Sequence, residues 1–282
     1  MNEVRVIALN IYPVKGCRRI ELTEAVVATA GLAASGAGDR EWMVVDAQAR
    51  FITQREFPKL ALIRVTATGD ALCLAASSAS CTMAIPLVRK RSAAREVLVW
   101  NSHVRGFDEG DAAAAWLTDY LGVGARLVRF DRTLPRPCNP PFAGDSGAHA
   151  LFSDGYPFLV IGEASLADLN SRLTARGSAA LPMDRFRPNI VLDGLDPYAE
   201  DHVDTIETGG IVLRLVKPCT RCQVTTTDQD STAVGVEPLR TLGEYRMDHG
   251  LGGVTFGMNA VLIEGEGRTL SCGATARVSY RF

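Results

Sequence analysis

Short runs of apolar and β-branched residues, broken every few positions by Gly, Pro, Ser or Asp, run through the first 110 residues of this 282-residue chain and point to a small sandwich or barrel. Residues 4–12, 20–28, 41–45, 61–67 and 97–104 read as strands. Asp111 then stands as the N-cap of a helix on which Ala113, Trp116, Leu117, Tyr120 and Leu121 recur at helical spacing, and Gly122 is a natural stop. A strand over 125–130 follows. The stretch 133–148 is crowded with Pro and Gly, so it reads as a loop, either a linker or a lid flanking a substrate entrance. Beyond it, 158–161 reads as a buried strand and 163–176 as a helix with Leu166, Leu169 and Leu173 on one face. Strands at 189–192, 211–216, 224–227, 260–264 and 276–280 and a short helix at 239–245 complete the second half as a β-barrel-like unit. The expected fold class is mainly β with peripheral helices (α+β), in two domains, residues 1–125 and 126–282.

Composition narrows the partners. With 47% hydrophobic and 22% charged residues and a net charge of -2, the chain is that of an ordinary globular protein. Lys and Arg form no stripe for a phosphate polymer, which argues against nucleic acid. The first ten residues alternate like a strand instead of forming a signal-peptide block, and no apolar run is long enough to span a bilayer. A cytoplasmic location without membrane contact is therefore expected. Seven dispersed Cys, an odd count, favour reduced thiols over a disulfide framework.

Two of those thiols, Cys219 and Cys222, stand three positions apart before a run of Val and three Thr that favours strand. A thioredoxin-like pair would open a helix, and a structural zinc site needs four ligands, for which only Cys272 and His249 are recruits. A soft sulfur on a rigid strand start suits a soft metal centre, while an inert buried thiol is the commoner fate of a single Cys. The four His, at 103, 149, 202 and 249, are isolated and build no triad. Neither a dinucleotide fingerprint nor a phosphate loop occurs in context, so nicotinamide, flavin and ATP have no support.

Four islands carry a resemblance: Tyr12-Pro13-Val14-Lys15-Gly16, Asp39-Arg40-Glu41-Trp42, Arg187-Pro188-Asn189 and the Cys219/Cys222 loop. Together with 158–172 and 196–201 they are similar to the MOSC family, the molybdenum cofactor sulfurase C-terminal type domain, preceded by that family's N-terminal β-barrel domain. The pattern is closest to the amidoxime-reducing component subfamily and its bacterial counterparts. The resemblance implies a β-barrel-like N-terminal domain followed by a MOSC β-barrel. It makes Cys222 the protein ligand of molybdenum, with the adjacent Arg221 helping to lower its thiol pKa. It gives Lys15 and Arg40 the phosphate of the pterin, a point charge and a planar fork, although either alone would more often be a solvated charge. Gly16 departs from the Ser that relatives often show and would offer only a backbone N–H. Arg187 and Asn189 bracket Pro188 just before an apolar strand, so their side chains could project toward the cofactor, a structural turn being the alternative; Asp154, Gly155 and Tyr156, before the strand at 158, match positions that contact the pterin. Cys219 would shape the loop. Glu200 and Asp201 could serve as acid and base, but surface carboxylates are the plainer reading.

The implied function is a molybdenum-cofactor (Mo-molybdopterin) oxidoreductase that reduces N-hydroxylated or N-oxygenated compounds by oxygen abstraction at a Cys-ligated centre, with no pyridoxal phosphate bound. The chain carries neither a ferredoxin-type Cys cluster nor the membrane anchor of mitochondrial relatives, so electrons are expected from a separate ferredoxin, flavoprotein or cytochrome b5-like carrier. The alternative is a carrier of molybdenum cofactor or persulfide sulfur without turnover, disfavoured by the absence of a desulfurase domain. A zinc-stabilised module is the third reading.

Overall fold

In the computed structural model, residues 2–76, 82–88 and 94–281 are described; Cys81 lies outside them. The largest sheet curls into a barrel of seven strands: β1 (Asn2–Ile11), β2 (Phe158–Gly162), β3 (Ile190–Asp193), β4 (Val203–Thr208), β5 (Ile211–Thr220), β6 (Gly253–Glu264) and β7 (Thr275–Tyr280). Their order is β2-β3-β1-β7-β4-β5-β6, and pairing of β2 with β6, Phe158 opposite Ala260, closes the ring. Closure leaves no open edge among these strands. β2 and β3 run parallel, and a parallel pair needs a long crossover. The helix Glu163–Ala175 supplies it, burying Leu169 and Leu173. Val6, Leu9, Val160, Leu192, Leu213 and Leu262 alternate inward into the barrel core.

A second unit precedes it in the chain. Ala94–Val99, Ser102–Asp108, Arg126–Phe130 and Trp42–Val45 form a four-stranded sheet, and Arg64–Ala67, Ala71–Ala75 and Thr82–Pro86 a three-stranded one. The helix Asp111–Leu121 seals this unit with Ala113, Leu117 and Leu121 against a core containing Trp42, Leu60 and Leu72. Gly122 ends it in the left-handed conformation (φ 79), as its spacing predicts. Gly110 takes the N-cap position and Asp111 the first turn. Chain order and spatial order diverge: β1 lies between β3 and β7, while Glu24–Ala28 pairs with Thr269–Ser271. The loops carrying Lys15 and Arg40 are thereby sewn onto the barrel.

The fold class is the one expected, a mainly β chain with peripheral helices and a closed barrel, but several elements differ from the sequence reading. Residues 97–104 are not one strand but a hairpin turning at Trp100 and Asn101. Residues 20–28 split into Ile20–Leu22 and Glu24–Ala28, and 61–67 opens with the 3-10 turn Pro58–Leu62. The stretch 133–148 contains a helical turn, Pro140–Ala143, and a two-residue strand, Arg136–Pro137. Residues 224–227 are not a strand but lie largely in a 3-10 turn, Gln223–Thr226. There the Thr225 and Thr226 hydroxyls donate back to the carbonyls of Cys222 (2.9 Å) and Gln223 (2.8 Å). That local bonding satisfies the turn and overrides β propensity. Among the described residues no helix is long and apolar enough to cross a membrane.

Candidate functional site

The barrel and the N-terminal unit meet around a cavity whose empty volume, open mouth included, is about 970 Å³. All ten positions that the sequence reading assigns to the cofactor line it. They arrive from five places: the loop after β1, the turn before Trp42, the segment before β2, the turn before β3, and the end of β5.

The cationic side is built on Tyr12, whose ring has the guanidinium carbons of both Arg40 and Arg187 at 4.2 Å from its centroid. Asp39, almost wholly buried, accepts the Tyr12 backbone N–H (2.8 Å) and Arg40 Nη1 (2.6 Å to Oδ2). Arg40 Nη2 donates to the Arg187 carbonyl (3.1 Å), locking the two loops together. Both arginines sit at positive φ, 47 and 56, a conformation that side chains with a Cβ adopt at a cost. Burial pushes the Tyr12 phenol up to about 12 and the Arg187 guanidinium down to about 10. At neutral pH Tyr12 is thus neutral and Arg187 still a cation. Arg187 Nη2 is buried without a protein partner, an uncompensated donor that calls for an anion or water.

Lys15 extends this basic side. Its Nζ donates to the Phe152 carbonyl (2.9 Å) and to Asp154 Oδ1 (2.5 Å). Burial lowers the ammonium pKa while Asp154 pulls the other way. For Asp154, desolvation raises the carboxyl, but Lys15 and the Trp100 indole outweigh it and hold the group well below the usual carboxylate range. Its side chain is 69% exposed, so solvent weakens that pull without reversing it. Gly16 has φ 86, and a Cβ there would lie 3.3 Å from Leu60 Cδ1. The backbone, not the loss of a hydroxyl contact, explains glycine at this position.

Asn189 serves the scaffold. Its Nδ2 donates to the Asn10 carbonyl (3.1 Å) and its Oδ1 accepts the Leu159 N–H (3.1 Å), stapling the turn before β3 to β1 and β2. Beside Gly155, the Tyr156 hydroxyl is buried without a partner, as is Ser153 Oγ. Burial raises that phenol to about 12, so it is a neutral donor.

Cys219, near the end of β5, and Cys222, two residues beyond it at the head of the 3-10 turn, are half-buried, and both line the cavity. Arg221 does not turn toward Cys222 as expected from adjacency. Its Nη1 donates to Cys219 Sγ (2.9 Å) and its Nη2 to the Phe186 carbonyl (2.6 Å). The backbone N–H of Arg221 is fixed to the Val254 carbonyl (2.8 Å), which leaves the side chain directed by the facing turn. Glu200 is not a surface carboxylate: it is fully buried, accepting Gly162 N–H (3.1 Å) and Ser165 Oγ–H (2.7 Å). Neither it nor Asp201 lines the cavity, and no residue of 133–148 does. Lining residues that the sequence reading missed include Phe51, Gln54, Trp100, Ser153 and Asn259. For Trp100 no turn signal stands in the sequence, since two-residue hairpin turns favour Asn, Asp or Gly at their first position.

The six described cysteines are free thiols. Among the described residues no group of three or more His, Cys, Asp or Glu side chains comes together as a metal site, so these residues build no closed zinc centre. What the cavity does offer is one cationic end with an orphaned guanidinium donor and, at the end of β5, a pair of soft thiols. That combination fits an anionic group that brings most of its metal's ligands with it.

Comparison with known proteins agrees in order and extent. Residues 3–124 match the model of the MOSC N-terminal beta barrel domain and residues 148–276 that of the MOSC domain. The chain is 38% identical over 241 residues to mitochondrial amidoxime-reducing component 1 of Homo sapiens, covering 84% of this chain and 70% of that protein. It is 37% identical to the Mus musculus component 1, with the same coverage. Against mitochondrial amidoxime reducing component 2 of Bos taurus it is 32% identical, again over 84% and 70% of the two chains.

Proposed function

The chain belongs to the MOSC-domain family, and from that premise we propose that it is a molybdenum-cofactor-dependent reductase of N-hydroxylated compounds. The observation that carries this reading is the meeting, in one cavity, of the Lys15, Arg40 and Arg187 cations with the Cys219 and Cys222 thiols. When bound, the cofactor supplies the two-electron chemistry by which a substrate's N–OH oxygen leaves as water, two protons being consumed. The chain's residues do the rest. Cys222 is the protein's sulfur ligand, at the head of a turn that Thr225 and Thr226 fasten. Lys15, Arg40 and Arg187 neutralise the cofactor phosphate, and the unpaired Nη2 of Arg187 gains its missing partner. Asp39 and Asp154 hold two of those cations in place. Arg221 fastens the thiol loop to the turn before β3 through Phe186. Electrons come from a separate carrier protein, as the names of the relatives, components of a reducing system, suggest.

The test is metal and pterin analysis of protein made in a cofactor-competent host, alongside Cys222→Ser, with benzamidoxime reduction assayed from an artificial donor. Near-stoichiometric molybdenum, with activity lost in the variant, is the expected result. Cofactor bound and transferable without turnover identifies a carrier instead, and protein devoid of molybdenum sinks both.

A further inference from the structure

Trp100 has a placement that neither the fold nor cofactor binding explains. It stands at the tip of the hairpin joining Ala94–Val99 to Ser102–Asp108, in left-handed backbone (φ 55). Two-residue hairpin turns of this kind favour Asn, Asp or Gly at positive φ, so an indole here runs against turn chemistry. It also runs against burial: Trp100 is 40% exposed, whereas Trp42 is wholly buried. Strain and exposure at one aromatic residue beside a cavity point to use there.

The ring is nonetheless held. Its Nε1 donates to Asp154 Oδ1 (3.0 Å), Phe51 meets it in an edge contact with centroids 5.1 Å apart at 61°, and the exposed Arg55 guanidinium lies 4.8 Å from it. Phe51, Arg55 and Trp100 line the cavity that also contains Cys222, and the same three line a second cavity on the N-terminal unit. With Ile52 and Thr53, which also line both, they stand where the two adjoin. Because Asp154 bonds both Trp100 and Lys15 through the same oxygen, the indole is registered to the cationic end of the cavity. A residue filling space would need neither that hydrogen bond nor the strained turn.

The geometry points to Trp100, backed by Phe51, as the aromatic wall that takes the ring of an aryl N-hydroxylated substrate, an aryl amidoxime in kind. This selectivity role rests on the reductase reading above. An indole at this edge offers a large rigid face to a planar ring. Arg55 is the movable member: exposed and held over the indole by a cation–π contact, it yields its place to an arriving ring at little cost.

Two arms test this. In the first, tryptophan fluorescence of cofactor-loaded and cofactor-free protein is titrated with benzamidine, which is not reduced, in the wild type and in Trp100→Leu. Saturable quenching in the wild type that vanishes in the variant is expected. In the second, the ratio of kcat/KM for benzamidoxime to that for acetamidoxime is expected to fall roughly three- to tenfold in Trp100→Leu, the range of an aromatic pair, mostly through KM, and to recover in Trp100→Phe. Wild-type protein without quenching, an unchanged ratio, or molybdenum content lost in Trp100→Leu overturns the assignment, the last because the ring would then be holding cofactor. If the wild type reduces nothing, the reductase reading fails, while the fluorescence arm still decides whether Trp100 takes an aryl ring.

Discussion

Replacing Asp39 by Asn keeps the shape of the side chain and its Oδ1 acceptor for the Tyr12 N–H, and removes the charge together with the Oδ2 acceptor of Arg40 Nη1. The carboxylate is 2% exposed in its side chain and is paired with Arg40, itself 13% exposed. Since Arg40 and Arg187 both lie 4.2 Å from the Tyr12 centroid, their charges are no more than about 8.4 Å apart. At an effective dielectric near 20 that repulsion is at least ~2 kcal/mol. Breaking a buried pair by removing one charge costs about 3–5 kcal/mol, so the cofactor-free variant should lose about 3 kcal/mol, read as a lower urea midpoint at unchanged slope. The two guanidiniums then lack a counter-ion that a phosphate can supply. Inorganic pyrophosphate should therefore raise the midpoint of Asp39→Asn more than that of the wild type, recovering a large part of the loss. Equal responses to pyrophosphate in the two proteins would show that these arginines do not face a common anion site, and a loss below ~1 kcal/mol would show that Asp39 is not their counter-ion.

Three further substitutions separate scaffold from site. Gly257 in β6 has φ 76, and a Cβ there would come within 2.6 Å of Ile161 Cγ1 and 2.9 Å of the Val160 carbonyl; Gly257→Ala should cost about 3 kcal/mol from overpacking added to left-handed strain, measured by denaturant unfolding. Cys219→Ala removes a sulfur contact of Arg221 but not its bond to Phe186, so it should keep molybdenum while losing about 1 kcal/mol of stability, the opposite of Cys222→Ser in metal analysis. Burial raises the Glu200 carboxyl above its ordinary 4.5, its bonds from Ser165 and Gly162 only partly opposing. A raised carboxyl stabilises the fold below the unfolded value and loses that contribution as pH rises through the folded one. The stability difference between Glu200→Gln and wild type should thus shift toward the variant from pH 4.5 upward, and a flat difference curve would refute the buried-acid account.

Which residues converge on the cavity was legible where their secondary structure was not, and the reason is physical. Lys15, Gly16, Arg40, Arg187 and Cys222 lie in turns and strand ends, where residue type answers to contact with a ligand more than to packing. Their convergence depends on β1 and the Glu24–Ala28 strand pairing with strands from the far end of the chain, which no local pattern encodes. Side-chain direction is likewise non-local: Arg221 is pulled from its neighbour Cys222 by the Phe186 carbonyl, 35 residues away. Thr225 and Thr226 misled as strand formers because their hydroxyls close a turn instead. Trp100 was missed because its hairpin read as a single strand, in which it would be one more aromatic residue. Of the seven non-glycine residues at positive φ among the described residues, Arg40, Arg187 and Trp100 line this one cavity, while Ser35, Ala49, Tyr198 and Thr232 do not. At the three that line it, local propensity gives way to a tertiary arrangement in which two cations and an indole face the same space, whereas the other four are accounted for by turns away from it.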